Sequence, residues 1–216
     1  MWGRESELKE LMALLDKKSA SMVVMSGRRR IGKSTLAQAF GKKHFKHYFE
    51  FAGLAPHPKQ TNQDQLDNFA NQLKEQTSAQ GLHFQEWGEA FAMLNSLANK
   101  NFSPTFILLD EISWMGGLDL DFPGKLKIAW DSKFKANSKL ILVICGSVTS
   151  WIQENILMRS DFVGRISLEL FLQELPLSVL SNFWGKRQVN ASEKLTMLCV
   201  TGGVPRYLEE IRPSTP

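Results

Sequence analysis

Gly27-Arg28-Arg29-Arg30-Ile31-Gly32-Lys33-Ser34 fits the pattern G-x-x-x-x-G-K-[ST] at every fixed position. Glycines in this pattern let the backbone curl so that successive N–H groups face a phosphate. Lys33 then places a point charge on the β and γ oxygens, and Ser34 offers a hydroxyl to Mg2+. The neighbouring sequence supplies the context the motif requires. Met22-Val23-Val24-Met25, before it, is a short apolar run of the kind that makes a buried strand, and Lys33 to Phe40, after it, has a helical pattern. The expected phosphate-binding set is therefore Gly27, Arg28, Arg29, Arg30, Ile31, Gly32, Lys33, Ser34 and Thr35, with Ser34 also a metal ligand.

Working outward, Leu8, Leu11, Met12 and Leu15 fall at i, i+3, i+4 and i+7, which predicts an amphipathic helix over 5–15. His47 to Phe51 predicts a second strand. In the Gln- and Asn-rich stretch 59–101, Leu66, Phe69, Ala70 and Leu73, and then Phe91, Leu94 and Leu97, predict two helices separated near Gly81. Thr105 to Leu109 and Leu140 to Cys145 are apolar strand candidates flanking a helical pattern over 126–134, and Ile166 to Leu170 fits a further short strand. Strands separated by helices predict an α/β layered fold with a mainly parallel sheet. Beyond Pro176 the pattern turns helical. The expected organisation is a core over 1–175, a partial helical lid over 176–212 and an irregular tail over 213–216.

Composition narrows the class. The chain has 216 residues, 43% hydrophobic and 22% charged, close to the average of globular proteins, so disorder and collagen-like repeats are excluded. No apolar run approaches the ~18 residues that a membrane-spanning helix needs, and with Cys145 and Cys199 the only cysteines, a reducing compartment is the expectation. A cytoplasmic protein without a membrane partner follows. The formal charge of +4 tolerates a nucleic-acid partner without requiring one. His44, His47, His57 and His83 lack the spacing of a zinc site, so no metal beyond Mg2+ is expected. Trp114, Trp130 and Trp151 are expected to fill core or groove rather than to stack bases.

Two carboxylates, Asp110 and Glu111, end the strand Thr105-Phe106-Ile107-Leu108-Leu109. In P-loop enzymes an acid there holds Mg2+, and a neighbouring Glu can take a proton from the attacking water. Leu140 to Cys145 runs into Gly146-Ser147. If that strand lies between the first and third ones, Ser147 emerges beside the γ-phosphate, where a hydroxyl can help orient the water. Other P-loop classes fit less well. The only Asn-Lys, Asn99-Lys100, continues as Asn101-Phe102 and fails as a guanine reader, and no Ser-Gly-Gly-Gln signature of a transporter precedes the acidic strand.

Gly3-Arg4-Glu5, GRRRIGKSTL at 27–36, ILLDEISWM at 107–115, LVICGS at 142–147, GRISLEL at 164–170 and TGGVPRYLEE at 201–210, in that order, resemble the archaeal-type ATPases of the AAA+/STAND-related group. The resemblance implies a P-loop NTPase, AAA+-like, with sheet order 5-1-4-3-2 and a helical lid, using ATP and Mg2+ as a switch or remodeller. It implies Asp110 as metal ligand and Glu111 as base, with Ser147 at a first sensor position. Arg206 falls at a second sensor near the γ-phosphate, and Arg165 resembles the arginine offered to a neighbouring copy. Gly3 and Arg4 resemble the box that packs near the adenine. Such relatives usually continue into a winged-helix or other effector domain, so the effector is expected outside this chain, with nucleic acid reached through it and a homo-oligomer among the expected partners. A non-hydrolysing nucleotide-gated signalling scaffold and a DNA-associated ATPase are the alternatives.

Overall fold

The computed structural model describes residues 3–99, 103–184 and 189–210. The continuation of Asn99-Lys100 and the tail over 213–216 lie outside them. Five strands, β1 (Ser21–Gly27), β2 (His47–Ala52), β3 (Thr105–Asp110), β4 (Leu140–Cys145) and β5 (Ile166–Leu172), form one sheet in the order β2-β3-β4-β1-β5. All four pairings are parallel. This is the order 5-1-4-3-2 expected for a P-loop NTPase, read from the opposite edge.

Parallel strands need crossovers, and these are helices on both faces. β1 and β4 are buried along their whole length because helices cover them on each side. One face packs α3 (Asn62–Gln76), α4 (Trp87–Ala98) and α6 (Phe122–Ser132) over the sheet around Phe51, Phe69, Trp87, Phe91 and Phe122. Phe51 stacks on Phe69 with ring centroids 4.2 Å apart, while Trp87 meets Phe122 edge-on at 5.0 Å. The other face packs α1 (Glu5–Ala13) and α2 (Lys33–His44) through Leu11, Leu36 and Phe40 against Phe106 and Val143. Burying a Leu- or Phe-sized side chain contributes about 1.5–3 kcal/mol, so the two layers supply most of the drive to fold.

Register aligns the chemistry. Ala52 stands opposite Asp110, Met25 opposite Cys145 and Gly27 opposite Leu172, so the C-terminal ends of β1, β3 and β4 finish side by side. Short helices α5 (Ile112–Met115) and α7 (Thr149–Ile152) leave from the ends of β3 and β4. After β5, helices α8 (Leu177–Trp184), α9 (Ala191–Thr201) and α10 (Pro205–Glu210) gather around a separate small cluster of Leu175, Leu180 and Leu208. Leu175 N donates to Gly203 O at 2.8 Å, tying this group to the end of β5.

Candidate functional site

Between β1 and α2 the loop is wound by positive φ at Gly27 (139°), Arg30 (64°) and Gly32 (95°). Gly27 allows no side chain, because a Cβ there would stand 2.5 Å from Leu172 O on β5. Gly32 faces open space and caps α2 in the left-handed region, so the unpaired N–H groups of the first turn of α2 point toward the loop. The result is a backbone concavity at a helix N-terminus, where partial positive charge favours an anion.

Lys33 adds a cation to the concavity. It is 6% exposed, yet among the described residues its Nζ is met only by carbonyls of its own loop, Gly27 O at 2.8 Å and Arg28 O at 2.9 Å. Burial pushes its pKa below the usual lysine value, and Cys145, Glu111 and Asp110 nearby partly restore it. A buried ammonium without a carboxylate partner is a cation prepared for an anionic ligand.

A cavity of about 740 Å³ opens over this loop, and Lys33, Ser34, Thr35 and Glu111 line it together with Arg29 and Arg206. Leu175, just before α8, joins Phe183 of α8 and Pro205 of α10 in its lining. Glu111 caps α5 with φ 48° and ψ 48°, a left-handed backbone that turns its carboxylate away from the strand axis. Ser147 Oγ donates to Glu111 Oε2 at 2.9 Å, so the hydroxyl expected beside the γ-phosphate holds the expected base instead of standing alone. Asp110 is one step behind, with its Oδ1 accepting from Glu111 N at 2.9 Å. The buried Cys145 thiol, at the end of neighbouring β4, is pushed up by burial and by the Asp110 charge. Ser34, which lines the cavity, and Asp110, which lies behind Glu111 outside its lining, carry oxygens of the type Mg2+ accepts.

Arg4 also lines the cavity and is almost fully buried. Its Nη2 donates to Ile31 O at 3.0 Å and Gln173 O at 2.7 Å, and its Nη1 meets Glu7 at 2.9 Å. It thereby joins the P-loop to the end of β5. Gly3 donates its N–H to Glu5 Oε1 at 3.1 Å and packs against Leu175 and Val179. Arg206, exposed in α10, pairs with Glu209 at 3.6 Å and Glu210 at 3.1 Å. Arg165 is not in this site. It begins β5 at the opposite end of the sheet and grips Asp131 of α6 through Nε at 2.9 Å and Nη2 at 2.7 Å. That pairing holds the Asp131 carboxyl well below the usual range.

Sequence reasoning missed Trp114. Its ring lies under the Arg29 guanidinium, 4.9 Å from centroid to Cζ, beside the cavity rather than in the core. The signal was its place three residues after Glu111, but its partner comes from a distant loop.

A family model described as an ATPase domain predominantly from Archaea matches residues 2–211. An uncharacterised protein of Methanocaldococcus jannaschii is 28% identical over 214 residues, 97% of this chain and 43% of the relative. The chain thus spans less than half the length of that curated relative. Among solved structures, a Walker-type ATPase of Pyrococcus abyssi superposes with a TM-score of 0.66 at 18% identity, covering 97% of this chain and 66% of that one, which shows the shared fold. Among the described residues no helix is long and apolar enough to cross a membrane.

Proposed function

The chain belongs to the ATPase domain family found predominantly in Archaea, and on that premise we propose that it binds ATP and hydrolyses it to ADP and phosphate in the cavity over the P-loop. The observation that carries this reading is the buried Lys33 ammonium, held by carbonyls of its own loop, in one cavity with a Glu111 carboxylate that Ser147 hydrogen-bonds. On binding, the γ- and β-phosphate oxygens replace Gly27 O and Arg28 O as partners of Lys33, and the N–H groups of the loop and first turn of α2 take the remaining charge. Ser34 and Asp110 would hold Mg2+, which when bound neutralises charge on the β and γ oxygens. Glu111 takes the proton of the attacking water, and Ser147 keeps its carboxylate aimed. A single-turnover assay with ATP tests the reading. Bound ATP should convert to ADP in the parent and stay intact in Glu111→Gln.

The contacts of the P-loop with the segment after β5 and with α10 support a nucleotide-gated switch as a second reading. Arg28 Nη1 meets Glu174 at 2.8 Å, and Arg30 reaches Glu210 at 3.8 Å and the Tyr207 ring at 5.4 Å. A ligand that redirects these arginines would loosen or tighten the helices above it. In that reading an effector domain, nucleic acid or a second copy would receive the motion.

A further inference from the structure

Three consecutive arginines fill the P-loop, and their partners differ in kind. Arg28 is neutralised by Glu174 and Arg30 approaches Glu210. Arg206, the arginine of α10 in the same cavity, is paired twice within its own helix. Arg29 has no carboxylate within ion-pair distance among the described residues. It rests on the face of Trp114. A ring face holds a guanidinium in place through its quadrupole yet leaves the charge and all five N–H donors uncommitted.

The perch is tied to the expected base. Trp114 N donates to Glu111 O at 2.8 Å, so ring and carboxylate belong to one turn at the start of α5. Arg29 lines the cavity with Lys33 and Glu111, and its charge is felt at the Lys33 ammonium. Two cations lining one cavity, neither in an ion pair among the described residues, suit a polyanion.

We propose that Arg29 is a catalytic arginine supplied by the chain to its own site, with Trp114 as its positioning residue. The assignment rests on the ATPase reading above. In the step it serves, the water oxygen forms a bond to the γ-phosphorus and the bond from that phosphorus to the bridging oxygen breaks, its electron pair leaving with ADP. The water proton goes to Glu111 and returns to the phosphate released. The Arg29 guanidinium hydrogen-bonds the γ-phosphoryl oxygens while this charge is redistributed, a contribution worth ~10³-fold or more for arginines so placed.

The test compares Kd values of the purified chain for MgADP alone and for MgADP with fluoroaluminate, a mimic of the transferred phosphoryl group, by calorimetry. The parent should bind the fluoroaluminate complex at least ~10²-fold more tightly, as transition-state mimics do. Arg29→Ala and Trp114→Leu should lose that gain while MgADP affinity changes by less than ~10-fold, and Trp114→Phe, which keeps a weaker ring, should retain part of it. Arg29→Lys should not restore it, because an ammonium lacks the planar fork. Melting temperatures close to the parent's for Arg29→Lys and Trp114→Phe exclude misfolding as the cause. The proposal is overturned if Arg29→Ala keeps the gain, if MgADP affinity falls in parallel with it, or if the parent shows no gain. Failure of the ATPase reading looks different: Lys33→Ala would then bind MgADP as the parent does.

Discussion

Glu111 occupies a backbone conformation that costs a β-carbon residue about 1–3 kcal/mol, with φ 48° and ψ 48°. The strain places the carboxylate against Ser147 and the cavity, so function and stability pull in opposite directions at this residue. Glu111→Gly should relieve the strain and leave the melting temperature unchanged or higher while abolishing turnover. Glu111→Gln keeps the strain and should keep ATP binding, with hydrolysis slowed ~10²-fold or more because an amide cannot take the proton. Equal turnover in parent and Glu111→Gln would move the base elsewhere. Lys33→Ala should remove nucleotide binding altogether, since the cation buried inside the backbone cradle is lost. Asp131 gives a pH signature. Its folded pKa is depressed, first by the Arg165 hydrogen bonds, so its contribution is fully present above the unfolded value of about 3.9 and disappears as pH falls through the folded one. Asp131→Asn should therefore melt lower than the parent at neutral pH, and the gap should begin to narrow below about pH 4 and close only as the pH falls through the depressed folded value. A gap independent of pH would assign the loss to packing.

At the scale of elements, the edge strand β2 is closed by side chains. Gln76 exchanges two hydrogen bonds with Glu50, at 2.8 Å to its N–H and 2.7 Å to its carbonyl. Gln72 does the same with Ala52 at 2.8 and 3.0 Å, and Gln65 with Leu54 at 2.9 and 3.0 Å. Three amides from α3 thus stand in for a sixth strand and keep the edge from pairing with another chain. Gln72→Leu with Gln76→Leu preserves helix propensity and should lower stability by about 2–6 kcal/mol, since four backbone hydrogen bonds are lost and net contributions are about 0.5–1.5 kcal/mol each. It should also raise light scattering as concentration increases. An unchanged urea midpoint and a monodisperse sample would make the ladder incidental. These glutamines show where sequence reading stops. Strands such as Leu140–Cys145 and the P-loop are legible because period and motif are local properties. The Gln-rich stretch was visible only as composition, since its meaning depends on which strand ends up at an edge. Ser147 was legible as soon as strand order was, because β4 ends beside β3. The pairing of Arg29 with Trp114 and of Arg165 with Asp131 was not, because each joins distant segments through geometry that no spacing encodes.

For the whole molecule, the question is whether one chain holds a complete site. Arg165 and Leu172 bracket β5, and Leu172 lies against Gly27 of the P-loop. Seven residue steps at about 3.3 Å each put Arg165 some 23 Å from its own site, so it can serve chemistry only across an interface. To do so it would have to release Asp131, to which two of its guanidinium nitrogens are committed at 2.9 and 2.7 Å. Bidentate pairs of this geometry are the stronger class of charge-assisted bond, and an arriving phosphate would have to outcompete one. Arg29, with its donors uncommitted, faces no such competition. Specific ATPase activity should therefore be flat with protein concentration, and Arg165→Ala should lower the melting temperature without lowering activity per molecule at temperatures where the chain is folded. Mixing Arg165→Ala with Lys33→Ala should return no more than the activity of the first variant alone. Activity that climbs with concentration, together with a loss in Arg165→Ala that mixing restores, would show instead that binding of a second copy pulls Arg165 off Asp131 and that the complete site is shared between chains.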